Sequence, residues 1–198
     1  MKQGVAGTSR RGAASREAIL QAAVRVIGRE GLSGASLAAV AKEANTSKPA
    51  VLYHFGSREH LLHEVAQLAL GLYREIVEPA EKGPSPRSRT EAAIAAIFAP
   101  ERRTLLGCIH ELIGLSMRDA QVAELMRKSL EEVLERPTRA LDKYFGAEEA
   151  RAISRALIMT VHGHVEMWLC SDPADSKQFV DSVTRAALAI LPQSVRTA

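Results

Sequence analysis

Aromatic side chains are scarce in this 198-residue sequence: four Phe, three Tyr and one Trp make up 4% of it. Alanine is plentiful by comparison, a balance that favours helices. There are two cysteines, Cys108 and Cys170, with no CxxC spacing. That excludes a disulfide framework and a thiol zinc knuckle, and the pair reads as free thiols in a reducing compartment; a Cys108–Cys170 bridge is the minor alternative. No apolar run approaches the ~18 residues of a membrane span. The opening "MKQGVAGTSRRGAASRE" has no apolar stretch of the kind a secretory signal needs. A cytoplasmic protein without a membrane partner is therefore expected. No period of 20–50 residues repeats, and no strand-type alternation is sustained.

The motifs of common enzyme chemistry are missing too. There is no GxSxG, P-loop or GxGxxG, and the His-Glu pairs at His63-Glu64 and His110-Glu111 do not continue to HExxH. His60 and His63 have the helical spacing of metal ligands, but no cysteine or second acidic partner accompanies them. In "VHGHVEMW" (Val161–Trp168), His162 and His164 would point about 200° apart on a helix and cannot share an ion. The expectation is no enzyme, no cofactor and no metal.

What is present is charge asymmetry and helical periodicity. The net charge is +3, yet residues 1–60 hold nine Lys/Arg against four Glu, a balance of +5, leaving −2 for the rest. A basic head on a faintly acidic body suits a polyanion-binding module joined to a neutral one, although scattered solvated charge gives the same sums.

Residues 1–14 are Gly/Ser/Ala-rich and basic, and are expected to form a disordered arm. Ser15 then caps a helix whose stripe is Ile19, Ala22, Ala23, Val26 and Ile27, ended by Gly31. Ser36 caps a second helix and Ser47 a third, with Pro49 in its first turn, where proline is tolerated. Gly56 stops the third helix. Ser57 caps a long fourth that runs through Leu61, Val65, Leu68, Leu72 and Ile76 to Pro79. "EKGPSPRSR" (Glu81–Arg89) reads as a linker. Beyond it the pattern gives short helices to Phe98 and Met117, and one from about Val122 to Phe145 with Pro137 as a place to bend. Gly146 separates this from a helix over about Glu148–Cys170, Asp172-Pro173 turns the chain, and a last helix ends before Pro192. The fold class is all-α with about nine helices.

The stretch "ASLAAVAKEANTSKPAVLYHFGSREHLL" (Ala35–Leu62) holds two helices too short to bury full faces alone. Joined by a three-residue turn and flanked by longer helices, they have the economy of a helix-turn-helix, in which one braces and the next enters a DNA major groove; an ordinary three-helix bundle with a solvated polar face fits the same periodicity. The second would present Ser47, Lys48, Pro49, Ala50, Tyr53 and His54. Lysine can reach guanine or phosphate, and the small Ala50 can touch a thymine methyl. Ser36 and Arg58 begin neighbouring helices, where hydroxyl, guanidinium and backbone N–H groups can hold phosphates.

Ser15–Leu62 resembles the DNA-binding domain of the TetR family of bacterial transcriptional regulators. The likeness rests on Ile19 with Ala22-Ala23, Gly31, Ser36, Val40-Ala41, Ser47, the "YHF" of Tyr53-His54-Phe55, and "SREHLL" from Ser57. It departs in two places. The position after Val51, where the family commonly has a phosphate-binding tyrosine, is Leu52, which shifts backbone contact towards Tyr53 and His54. Asn45 stands where the turn usually has glycine, and asparagine tolerates the left-handed conformation required.

The resemblance implies a division into arm (1–14), helix-turn-helix domain (15–62, motif 36–55) and helical regulatory and dimerisation domain (63–198). It implies a homodimer on a palindromic double-stranded operator in the bacterial nucleoid. It also implies a small-molecule effector, and the function expected is a repressor released from DNA by that molecule. The helix over 148–170 carries two apolar stripes, and a helix apolar on two sides is buried on two sides. With the last helix it is the expected dimer interface, through Val161, Gly163, Val165, Trp168, Val183 and Ala187. The effector pocket is expected among Tyr73, Phe98, Cys108, His110, Met117 and Met126, and the few charges there favour an apolar or aromatic molecule. Two other readings stay open: a TetR-like nucleoid or structural factor without effector, and an all-α enzyme reusing the fold.

Overall fold

The computed structural model describes residues 4–78, 82–172 and 175–192, with backbone alone for 4–11. Among them the elements are helices α1 (Gly4–Gly34), α2 (Leu37–Glu43), α3 (Lys48–Phe55), α4 (Arg58–Val77), α5 (Pro86–Ile97), α6 (Arg103–Ser116), α7 (Ala120–Phe145), α8 (Ala147–Cys170) and α9 (Ser176–Ile190). A 3-10 turn, Pro100–Arg102, leads into α6.

Capping serines set the frame. The hydroxyls of Ser36, Ser47 and Ser57 accept from the backbone N–H of Ala39, Ala50 and His60 at 3.1, 3.3 and 3.1 Å. Each satisfies one of the orphan donors at a helix start. Asn45 takes φ 51°, the left-handed turn expected of it. Gly31 adopts φ 71°, ψ 176°, a combination suited to glycine, and breaks α1 before Leu32.

Two expectations are corrected. Residues 4–14 are not a disordered arm: the backbone is helical from Gly4, continuous with α1, while 1–3 lie outside the described residues. The Glu81–Arg89 linker is shorter than composition suggested, because Ser85 and Ser88 form a capping box and Pro86 starts α5. Proline at N1 lacks only an N–H that had no helical partner. Pro79, Glu81 and Pro173 lie outside the described residues.

Two cores result. The head core gathers Ile19, Ala23 and Ile27 of α1, Val40 of α2, Val51 and Phe55 of α3, and Leu61 and Val65 of α4, and is completed by Cys108 and Leu112 of α6. The body core joins Ile76, Ile94, Ile97 and Phe98 to Leu141, Leu157, Trp168, Val183 and Leu191. Phe98 and Trp168 pack with centroids 5.4 Å apart. α4 runs through both cores. A second junction is the crossing of α1 and α6, where glycines let backbones touch. A Cβ on Gly28 would lie 2.0 Å from the Thr104 carbonyl oxygen, and one on Gly107 would lie 2.8 Å from that of Gly28.

Candidate nucleic-acid interface

α3 is held by burial of Val51 and Phe55, which turns its other side outward. Ser47, Lys48 and Pro49 are exposed, Ala50 and His54 half-buried, and Tyr53 is 86% exposed. A large ring left that open has no folding role, and its phenol is available for a phosphate or sugar contact. Leu52 is also exposed, at 38%. Lys48 has no carboxylate partner among the described residues, so its charge is uncommitted.

The platform beneath α3 is cross-braced by ion pairs. Arg25 and Arg29 of α1 both reach Glu43 at the end of α2, each at 2.7 Å. These guanidiniums hold the Glu43 carboxyl below the usual carboxylate range. Arg16 pairs with Glu64 of α4 and lies over the Phe55 ring.

Arg58 has a structural role that the sequence did not suggest. Its Nε donates to the Ala35 carbonyl at 3.1 Å and its second guanidinium nitrogen to that of Leu32 at 2.6 Å. It satisfies carbonyls left open where α1 ends and so fixes α4 against the α1–α2 corner. A guanidinium so engaged is a brace before it is a phosphate clamp. Ser36 and Ser47 likewise use their hydroxyls as caps, leaving the helix N-termini themselves to meet phosphate.

His60 and His63 serve different partners: His60 contacts Glu64, and His63 Nε2 contacts Asp119 at 2.9 Å. Asp119 also accepts from the N–H of Gln121 and Val122, capping α7, and these bonds with His63 lower its pKa. One carboxylate thus ties the start of α7 to α4.

At the other end of α4 the body core is not closed. A cavity of about 530 Å³ lies between α4, α5, α7 and α8, with Leu191 beyond α9. Of the residues expected to form a pocket, only Tyr73 lines it. Phe98 is spent on Trp168 in the core, Cys108 is sealed in the head core, His110 and Met117 are exposed, and Met126 packs against the head core. The five belong to α5's end, α6 and the first half of α7, which seal the two cores. The cavity opens further along, on the Pro137 half of α7. Burial pushes the Tyr73 phenol up to about 12 and the Cys108 thiol to about 12, so both are neutral. His162 also faces the cavity, and burial holds its imidazole below the ordinary value. His164 instead donates to the Thr160 carbonyl at 2.8 Å.

The apolar stripes of α8 are oriented differently from the expectation. Val165, Trp168, Val183 and Ala187 are buried in the body core, and Val161 lines the cavity. Of the expected interface, Gly163 faces outward, with nothing within 4 Å of the position a Cβ would take. Its exposed neighbours are Met159 and Met167, 53% and 65% exposed.

A short capped helix pair on an ion-paired platform, projecting an exposed Lys-and-Tyr face, defines a helix-turn-helix DNA-binding module on a helical body. Comparison with known proteins places it more closely. Residues 19–65 match the model for bacterial regulatory proteins of the tetR family. Over 151 residues the chain is 34% identical to the HTH-type transcriptional regulator BetI of Burkholderia ambifaria, covering 71% of each. Over 92 residues it is 36% identical to BetI of Rhizobium meliloti, covering 43% of this chain and under half, 45%, of that relative. The fold matches that of a transcriptional regulator from Rhodococcus sp. with a TM-score of 0.76 at 22% identity, over 88% of this chain and 96% of that one. A TetR regulator from Haloarcula marismortui gives a TM-score of 0.75 at 17% identity, over 91% of this chain and 100% of that one. The chain belongs to the TetR family: it is a DNA-binding transcriptional regulator and not an enzyme. Among the described residues no helix is long and apolar enough to cross a membrane.

Proposed function

We propose that the protein is a cytoplasmic homodimeric repressor that leaves a palindromic operator when a small molecule enters the body. The observation that carries this is the cavity at the far end of α4. Tyr73 of α4 lines it, while Ser57 and Arg58 at the other end of the same helix anchor the head. An occupant that displaces the Tyr73 end shifts the head through one rigid element. Two heads whose recognition helices sit about 34–36 Å apart lose register with successive major grooves when that separation changes. A typical coupling of about 1–3 kcal/mol suffices to change affinity 5- to 150-fold, and operator must weaken ligand binding by the same factor.

An effector-free nucleoid factor would be served by a side-chain-filled body, and the open cavity favours the regulated reading. The dimer is assigned to the outward face of α8, with Met159, Gly163 and Met167 along one line, together with α9. Gly163→Arg tests it. No atom within 4 Å in the protomer opposes a side chain there, so the variant is expected to fold but sediment as a monomer and lose operator affinity. A variant that stays dimeric would remove this interface. The regulated reading is tested by fluorescence anisotropy with promoter DNA, comparing wild type with Tyr73→Ala. The expected result is altered release by effector with little change in effector-free DNA affinity.

A further inference from the structure

The cavity's lining has a chemical sense. Its depth is apolar, with Leu70, Ile94, Ile97, Leu141, Leu157 and Leu191 all buried. Its charged lining is almost entirely of one sign: Arg74, Arg89, Arg136, Arg139 and Lys143 against Glu132 alone. Arg74, Glu132, Arg139 and Lys143 are exposed and Arg89 and Arg136 half-buried, so Arg139 and Lys143 stand at the rim while the buried part of the lining is hydrocarbon.

Not all of this charge is spoken for. Glu132 offsets Arg74 at 3.5 Å, and the Nε of Arg89 donates to the Gly83 carbonyl at 2.6 Å. Arg139 and Lys143 have no carboxylate within ion-pair distance among the described residues; Lys143 lies over the Tyr144 ring. They stand four residues apart on α7, a spacing at which like charges destabilise a helix. Other stretches of α7 treat cations differently: Arg127 is paired with both Glu124 and Glu131. The cationic lip beside the cavity is therefore a local departure. His162 and Tyr73, held neutral by burial, add hydrogen-bonding groups without charge.

We propose that the effector is an amphipathic organic anion, its apolar body in the cavity and its carboxylate or similar anionic group on Arg139 and Lys143. This rests on the regulated reading above and specifies its ligand. It also replaces the apolar or aromatic effector expected from sequence, because neutrality at the rim is what the structure lacks.

The test uses the full chain and three probes of one tail length below their micellar range: decanoate, decanol and decyltrimethylammonium. Binding is read by titration calorimetry at low and moderate salt. Decanoate is expected to bind at least tenfold more tightly than either of the others, with affinity falling as salt rises. Arg139→Glu with Lys143→Glu is expected to remove most of that preference, and Arg139→Gln with Lys143→Gln about half of it on a logarithmic scale. Both positions are exposed, so folding is expected to survive, as circular dichroism will check. Equal or tighter binding of decanol or the cation, no binding of decanoate, or an unchanged decanoate affinity in the Glu variant would each overturn the proposal. Operator affinity, measured in parallel, separates the two readings. Preferential decanoate binding that leaves operator affinity untouched keeps the ligand class and defeats release from DNA. Release by decanol or the cation keeps regulation and defeats the anionic ligand.

Discussion

The head and the body are built from the same kind of helix, yet they close differently. In the head, Ala22, Ala23, Val51, Val65 and Ala66 have no exposed surface, and ion pairs from α1 to α2 and α4 lock the perimeter. In the body, Phe98 and Trp168 pack together in the core, yet a cavity of about 530 Å³ is left between α4, α5, α7 and α8. Close packing holds the spacing of α3 to its platform, which reading a groove requires. Under the regulated reading proposed above, space in the body would let a ligand choose between packings, since a dense core transmits displacement and does not absorb it.

Added volume should break this comparison most sharply. Ala23→Leu, in the filled head, is expected to cost about 3 kcal/mol by overpacking, whereas Ala140→Leu, on the cavity wall, should cost under about 1 kcal/mol. Chemical denaturation measures both, and equal costs would mean the two cores are packed alike. Next comes Lys48, a cation of the head with no carboxylate partner among the described residues. Lys48→Ala should weaken operator binding by about 1–3 kcal/mol and relax preference at one base pair if Lys48 reads a base, or reduce the salt slope by about one unit if it holds phosphate. Arg58→Ala is expected to lower stability by about 1–2 kcal/mol, because the carbonyls of Leu32 and Ala35 lose a charged donor. Its salt slope should match wild type, and a slope lowered by a full unit would return Arg58 to the DNA. The smallest effect sharpens the role of glycine. Gly71→Ala on α4 meets nothing within 4 Å and should stabilise by about 0.5–1 kcal/mol in thermal unfolding.

Much of the head was legible because its signals are local. A serine before an apolar-periodic run is a cap wherever the chain goes, and Asn45 in a tight turn carries its own reason. The bracing role of Arg58 was not legible because the carbonyls it reaches, at Leu32 and Ala35, meet it only once α4 folds back on α1. The body was less legible for the same reason extended. Arg74, Arg89 and Arg139 sit on three helices and look like ordinary solvated charge until packing gathers them around one cavity. The double stripe of α8 correctly implied burial on two sides, but both sides proved to be core and cavity wall. A weaker signal was available: Met159, Gly163 and Met167 recur at i, i+4 and i+8, a third line that the larger Trp168 and the valines overshadowed.

The glycine crossing of α1 and α6 bears on how modular this protein is. A boundary after Leu62 looks natural, but Cys108 and Leu112 of α6 complete the core around α1 and α4, and Glu111 accepts from the Leu32 N–H at 2.9 Å. An excised 15–62 fragment would bare that side of Ile27 and lose the partner of its own broken helix end. Grafting this head onto another regulator's body therefore means carrying α6 with it, or choosing a host whose sixth helix also has a glycine opposite Gly28. The unit that can be exchanged in engineering, or by recombination, is discontinuous in sequence.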